Sequence, residues 1–468
     1  MTWGIVLSVS LVAFESMGVA TVLPEIAGKL GGLNAYGWGL SALMLANLVG
    51  TVAAGRSADR HGPARPLGIG LAVFAVGCAV TGAAPNWPVF LAGRFIQGLG
   101  VGAVMALAYT AIGLVYPEHL RARMFALVSG GWTVPSLAGP ALAAVIADHV
   151  HWRGVFVLLL PLIAVAAAMA LPPLRSLASA GAAAKRGGTK LASTDTAVPH
   201  STTSNSRAAE AAWWKGPVAY GLLVSGGTAL LLGGLEFTNL GLLLPMAVLG
   251  AVVAVVGLRP VVPAGTLTAR RGVPTGVILR FLLCGAYFGS EAFLPLGLTH
   301  LRGLSTTEAG LGLSAGAVTW VIGAAWQGRV DGRWAGRPRT GPVAAGFALL
   351  AVGIVAMAAG ILVDAVPPAV ALVGWAIGGA GMGVAFNAAT TDTMEQAAAD
   401  SQGATSGAMQ LSQTLATAVL SGLGGAAIAL ADAHGSTTRT ALAATFTLTT
   451  VLALVGIALA HRIRAGVR

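Results

Sequence analysis

Charge is what this chain has least of. Only 9% of its 468 residues are Asp, Glu, Lys or Arg, against about a quarter in an ordinary globular domain. So few charges cannot cover a water-facing surface, so a soluble fold is excluded and a chain solvated by lipid is expected. Cysteine is nearly absent: Cys78 and Cys284 both sit in apolar runs, which rules out a disulfide framework and a cysteine metal centre. The net charge of +11 does not make a nucleic-acid binder, because the basic residues are scattered between apolar runs, with no basic-aromatic surface. Nucleophile–base groupings, metal-ligand spacings, phosphate loops and histidines within the apolar runs are missing too, so no enzyme, metal or cofactor is expected. The N-terminus has neither a basic stretch before its first apolar run nor a small-residue cleavage site, and reads as a retained helix.

What the chain has is apolar length. Hydrophobic residues make up 56%, with 66 glycines. About 20 apolar residues cross a bilayer. On that criterion helices are expected near 4–24, 37–54, 67–84, 88–113, 123–147 and 154–172. A second set lies near 216–233 and 238–258, and a third near 275–298, 307–328, 341–362, 368–391, 404–430 and 440–460. The plan is an all-α polytopic membrane protein of fourteen helices, arranged as six, two and six. Its parts are a first bundle (1–173), a flexible cytoplasmic linker (174–212) rich in Ala, Ser, Thr and Gly, a middle helix pair (213–260) and a second bundle (261–468).

Basic residues test the count. Of 27 Lys and Arg, only Lys29, Arg153, Arg302 and Arg439 fall in outer loops and Arg94 within a span; the rest, Arg280 among them, fall to inner segments if both termini are cytoplasmic. That is the positive-inside pattern, and removing one helix would place the later basic loops outside. One inner loop breaks it, being acidic around Asp392, Glu395 and Asp400. The six-plus-six plan also implies an internal repeat, faintly echoed where Gly328–Arg333 takes the place in the second half that Gly55–Arg65 takes in the first.

Three charges stand out within spans: Glu15, Arg94 and Glu291. Each costs at least about 2.5–3.5 kcal/mol to insert, which makes it a functional candidate. Glu15 and Glu291 occupy the first helix of each half, so pseudosymmetry directs both towards one central cavity, as carriers of a proton or a cargo cation. Against that stand plainer roles: Arg94 tying helix ends, Glu15 wetted at a cavity mouth, Glu291 neutralised by Arg280 or by the outer loop. Gly98, Gly100 and Gly102 permit close helix approach, and Pro135 with Gly139 and Pro140 marks a bend or hinge in the fifth helix. Cavity-lining candidates are Asn47, Gln97, Tyr109, Trp132, Tyr287, Trp320, Gln327, Asn387, Gln410 and Gln413, each equally well placed for an interhelical hydrogen bond.

Several motifs then agree. Gly55, Asp59, Arg60, Gly62 and Arg65 lie in a short charged connection, read as a tight glycine-punctuated loop, with Pro63 where a further basic residue is usual. Arg94 precedes Gln97-Gly98, Gly139-Pro140 is followed by Ala143-Ala144 in place of glycines, and Trp152-Arg153 precedes Phe156. Together these resemble the major facilitator superfamily, and with the middle pair its fourteen-helix drug:proton antiporter branch. The resemblance implies two six-helix bundles working by alternating access in a bacterial inner membrane. On that resemblance protons would be the coupling ions, acting through Glu15, Arg94 and Glu291, and Asp59 with Arg60 and Arg65 would latch the cytoplasmic ends. It implies export of small amphipathic compounds, with one endogenous lipid or secreted metabolite as the alternative cargo, by a monomer whose partners are lipid, cargo and protons.

Overall fold

The computed structural model describes residues 1–115, 118–191, 217–235, 240–334, 339–398 and 402–464. Fourteen helices span it. The first six are α1 (Thr2–Leu30), α2 (Trp38–His61), α3 (Ala64–Ala83), α4 (Trp87–Val115), α5 (Glu118–His149) and α6 (Arg153–Leu191). A middle pair follows, α7 (Pro217–Gly234) and α8 (Leu240–Leu258). The last six are α9 (Val273–Glu291), α10 (Thr306–Val330), α11 (Thr340–Leu362), α12 (Ala369–Gln396), α13 (Gln402–Ala433) and α14 (Thr438–Leu459). Lipid offers the backbone no hydrogen bonds, so apolar runs of this length must satisfy their amides within helices.

The two sets of six pack alike. In the first bundle α1 lies against α5 and α6, α2 against α4, and α3 against α4 and α6. In the second α9 lies against α13 and α14, α10 against α12, and α11 against α12 and α14. Each pair in one bundle has its counterpart eight helices later. Small residues let this happen: a β-carbon on Gly98 or Gly102 of α4 would collide with carbonyl oxygens of Leu43 and Asn47 on α2. Where the bundles meet, α2 packs on α13 and α5 on α10, again a symmetric pair.

Among the described residues, hydrogen bonds between the bundles gather at the end opposite the two termini. Tyr36 donates to the Ala292 carbonyl (3.1 Å), Ser41 to the Ala418 carbonyl (2.8 Å), and the Thr307 amide to the Asp148 carboxylate (3.1 Å). The middle pair rests outside: Ser225 of α7 bonds to the Leu45 carbonyl of α2 (3.0 Å), while α8 shows Leu244, Val248 and Val256 to the surroundings.

Three local expectations change. The connection at Gly55–Arg65 is not a loop over its whole length, because α2 continues to His61 and α3 begins at Ala64. The reversal falls at Gly62 (φ 73°), a left-handed conformation that suits glycine, whereas Gly55 is an ordinary helical residue. The side chains of Asp59 and Arg60 lie outside the described residues. In α6 the helix runs past residue 173 to Leu191, through an alanine-rich stretch that favours helix, and residues 192–216 lie outside the described residues. Glu291 is not in mid-helix but is the last residue of α9. Pro295, four residues on, has no N–H to give the Glu291 carbonyl and crowds it, so the helix breaks and resumes as a short turn (Leu294–Leu296) and a wider one (Gly297–Leu301).

Candidate functional site

In the first bundle the site is a buried charge pair. Glu15 of α1 and Arg94 of α4 are 0% and 1% exposed, and the Arg94 Nη1 donates to the Glu15 Oε1. Arg94 also gives its Nε to the Gly39 carbonyl of α2 (2.8 Å), so one side chain ties α1, α2 and α4 together. Gln97, one turn along α4, accepts from Arg94 (3.2 Å) through Oε1 and points its Nε2 at the Cys78 sulfur (3.3 Å). Thr81 completes the group beside Gln97 (3.2 Å). The second carboxylate oxygen, Oε2 of Glu15, is buried and has no hydrogen-bond partner among the described residues. A buried pair is stabilised by mutual attraction against a large desolvation cost, so such an uncapped oxygen is where a proton or a cationic group would gain most.

The second bundle places its carboxylate at the α9 break. Glu291 is 7% exposed, and the Tyr287 hydroxyl faces it one turn earlier without a hydrogen bond of regular geometry. Tyr287 stacks on Trp375 (4.5 Å between centroids) and meets Trp320 edge-on (5.3 Å). Trp320 touches Phe386 (5.7 Å), and the Arg280 guanidinium lies 3.6 Å over the Phe386 ring. An aromatic ladder thus joins Glu291 to Arg280. Arg280 was counted among the loop charges, yet it is buried within α9 (6% exposed) and donates to Thr390 of α12. Eleven residues of helix rise about 16 Å, so it does not neutralise Glu291. Its spacing with Cys284, Tyr287 and Glu291 on one helical face was the signal that counting loop charges passed over.

At the termini end of the second bundle stands a charge cluster that explains the acidic loop. Arg339 gives Nε and Nη2 to Asp331 (2.7 and 2.8 Å) and Nη1 and Nη2 to Glu395 (2.7 and 2.8 Å). Its amide faces Asp392 (3.4 Å). Asp392 and Glu395 near the end of α12 are therefore partnered by Arg339 of the α10–α11 connection, an internal clamp that accounts for them as exceptions to the charge pattern, while Asp400 lies outside the described residues. The Arg339 bonds hold the Asp331 carboxyl below its ordinary range, and Asp331 and Glu395 in turn hold Arg339 above its own.

The other expected residues divide. Gln97 and Tyr287 are fully buried in packing and do not line a cavity; Gln327 is buried beside Asp331 (3.3 Å). Trp132, Trp320, Asn387 and Gln413 are half-buried, Gln410 is exposed, and Asn47 is half-buried with its oxygen bonded to Thr51 (3.1 Å). The Tyr109 side chain lies outside the described residues. Pro135 and Pro140 are inside α5, where the Pro140 carbonyl and Ala144 meet Gly310 of α10 and Ala143 meets Gly18 of α1. Ala143 and Ala144 are small enough for the close crossing that the missing glycines would have served. Trp152 and Arg153 are structural. Trp152 packs edge-on against Phe90 and Phe156, and Arg153 covers its ring (4.3 Å) while bonding the Ala84 carbonyl (2.8 Å).

With this geometry in hand, comparison with known proteins is informative. The family model described as Major Facilitator Superfamily matches residues 5–421. A probable multidrug-efflux transporter of Mycobacterium tuberculosis is 28% identical over 436 residues, covering 90% of this chain and 85% of that protein. Multidrug resistance protein 3 of Bacillus subtilis is 30% identical over 159 residues, a match that spans 34% of this chain and only 31% of that relative's length. Among solved structures, an auto-inhibited POT family peptide transporter superposes with TM-score 0.68 at 16% identity, over 99% of this chain and 97% of its own. A D-xylose-proton symporter gives 0.62 at 14% identity, over 97% and 96%. Identities this low speak for the fold alone.

Proposed function

The chain belongs to the Major Facilitator Superfamily, and from that premise we propose that it is a proton-coupled antiporter of the fourteen-helix drug-efflux kind. It exports small amphipathic compounds from the bacterial cytoplasm by alternating access, with both termini cytoplasmic. The observation that carries this reading is the sequestered Glu15–Arg94 pair with its free carboxylate oxygen. A proton arriving on Glu15 cancels the attraction to Arg94, so α1 and α4 lose a mutual restraint; its departure restores it. Glu291 offers a second, buried carboxylate at the break that follows α9, to be reached by a proton or cargo as the bundles move. The bonds between bundles at the end away from the termini fit an inward-facing state, in which cargo is loaded from the cytoplasm. The Gly139-Pro140 region, where α5 crosses both α1 and α10, is then the place where the bundles pivot, and Asp59, Arg60 and Arg65 serve the opposite state. Voltage contributes about 2.3 kcal/mol per charge per 100 mV to the work. The likeness to a probable multidrug-efflux transporter over 90% of this chain supports the direction of transport.

The test is flux in proteoliposomes with an imposed pH gradient and a panel of lipophilic cations, zwitterions and neutral amphiphiles. Gradient-driven uptake that a protonophore abolishes is expected. Flux indifferent to the gradient would overturn proton coupling, and transport confined to a native lipid would replace drug efflux with lipid translocation.

A further inference from the structure

The second bundle holds a cation that antiport chemistry does not use. Arg280, Cys284, Tyr287 and Glu291 lie on one face of α9, at spacings of four, three and four residues. Nη2 of Arg280 donates to the Thr390 hydroxyl, and the guanidinium carbon lies 3.6 Å over the Phe386 ring centroid. Those two contacts fix the plane of the group. They leave Nη1 buried with no hydrogen-bond partner among the described residues. No Asp or Glu among the described residues forms an ion pair with it. The Cys284 thiol beside it is only a weak acceptor. A desolvated guanidinium held in place without an anion is costly, and it is the geometry that receives an oxyanion well. The neighbouring surface adds a second requirement, because the aromatic side chains of Trp320 and Phe386 are only half-buried, with half-buried Asn387 next to Phe386 in sequence. These side chains come from α10 and α12, and α10 is the helix that packs on α5 of the other bundle.

We propose that Arg280, Phe386 and Trp320 form a cargo subsite for the oxyanion end of an aromatic amphiphile, Nη1 donating to a carboxylate, sulfonate or phosphate while the rings stack on the planar body. This rests on the transporter reading and narrows it: cargo would be acidic or zwitterionic, with any basic group directed along the ladder to Glu291. Cationic amphiphiles would gain nothing from this end of the site.

The experiment uses the full chain in detergent with two fluorescent probes, dansylglycine and its uncharged amide, titrated by tryptophan-to-dansyl energy transfer. The wild type should bind the carboxylate probe roughly tenfold more tightly than the amide, the size of one charge-assisted hydrogen bond. R280Q should abolish that preference, so that the two probes bind alike, whereas R280K, which keeps the charge, should retain part of it. Equal binding of the two probes by the wild type, binding of neither, or equal weakening of both in R280Q would overturn the subsite. Should R280Q not fold, the wild-type comparison and R280K decide the matter. No gradient enters this measurement. A chain that prefers the carboxylate probe but never exchanges protons would therefore refute antiport and leave the subsite standing.

Discussion

Truncating Glu15 tests the buried pair quantitatively. In E15A the Arg94 guanidinium keeps its bond to the Gly39 carbonyl and its contact with Gln97 but loses its only anionic partner among the described residues, in a place 1% exposed. Breaking a buried pair from one side costs about 3–5 kcal/mol, several times the worth of a neutral hydrogen bond. R94M should cost a similar amount, because the buried Glu15 carboxylate then loses its cation. In the double variant neither charge remains, so its cost should fall short of the sum by about 2–3 kcal/mol. Unfolding of the four proteins in mixed micelles of rising SDS content, followed by tryptophan fluorescence, gives the cycle. Additivity within about 0.5 kcal/mol would mean that the two side chains do not hold each other, and the account of α1 and α4 as a proton-gated contact would fail.

Two further outcomes follow from packing and from the charge clamp. G102V should lower the midpoint of thermal unfolding sharply, since its side chain would strike the α2 backbone at Asn47 and Thr51, whereas G55A, with open space around it, should be neutral or stabilising by up to about 1 kcal/mol. R339A should destabilise the second bundle by about 1–2 kcal/mol, less than a fully buried pair because Glu395 is half exposed to screening. The Asp331 carboxyl is held below its ordinary range, so the clamp is complete above that range and weakens as pH falls through the depressed value. The stability gap between wild type and R339A, read by differential scanning fluorimetry, should be constant from pH 6 to 8 and shrink below about pH 4. A gap that closed near neutrality would contradict the clamp.

How much of this was legible beforehand depended on whether the signal was local. Helix number and order could be read because each span must satisfy its own backbone and because loop arginines mark the side. Glu15 and Arg94 could be singled out because a charge in an apolar run is anomalous wherever its partner lies, but that they meet each other is a fact of packing between α1 and α4. Pro295 was in plain view four residues after Glu291, yet the apolar run hid the helix break it causes. Arg280 passed as a loop charge because it sits near the start of its span, and only contacts with α12 reveal it as buried. The acids near Asp392 looked anomalous for the opposite reason: their cation, Arg339, is more than fifty residues away in the chain and adjacent in space. Gln97 illustrates the limit for polar residues, since nothing in its neighbours distinguishes a cavity wall from a buried link to Arg94, Thr81 and Cys78.

The central claim is that cargo and a proton exchange through the carboxylates. The most direct measurement is proton release by the purified protein in weakly buffered detergent solution when a transported amphiphile is added, followed with a pH-sensitive dye. Release of protons on cargo addition, abolished in E15Q and E291Q variants that remain folded, is the predicted result. Cargo binding that releases no proton from the wild type, or the same release from both variants, would contradict the account.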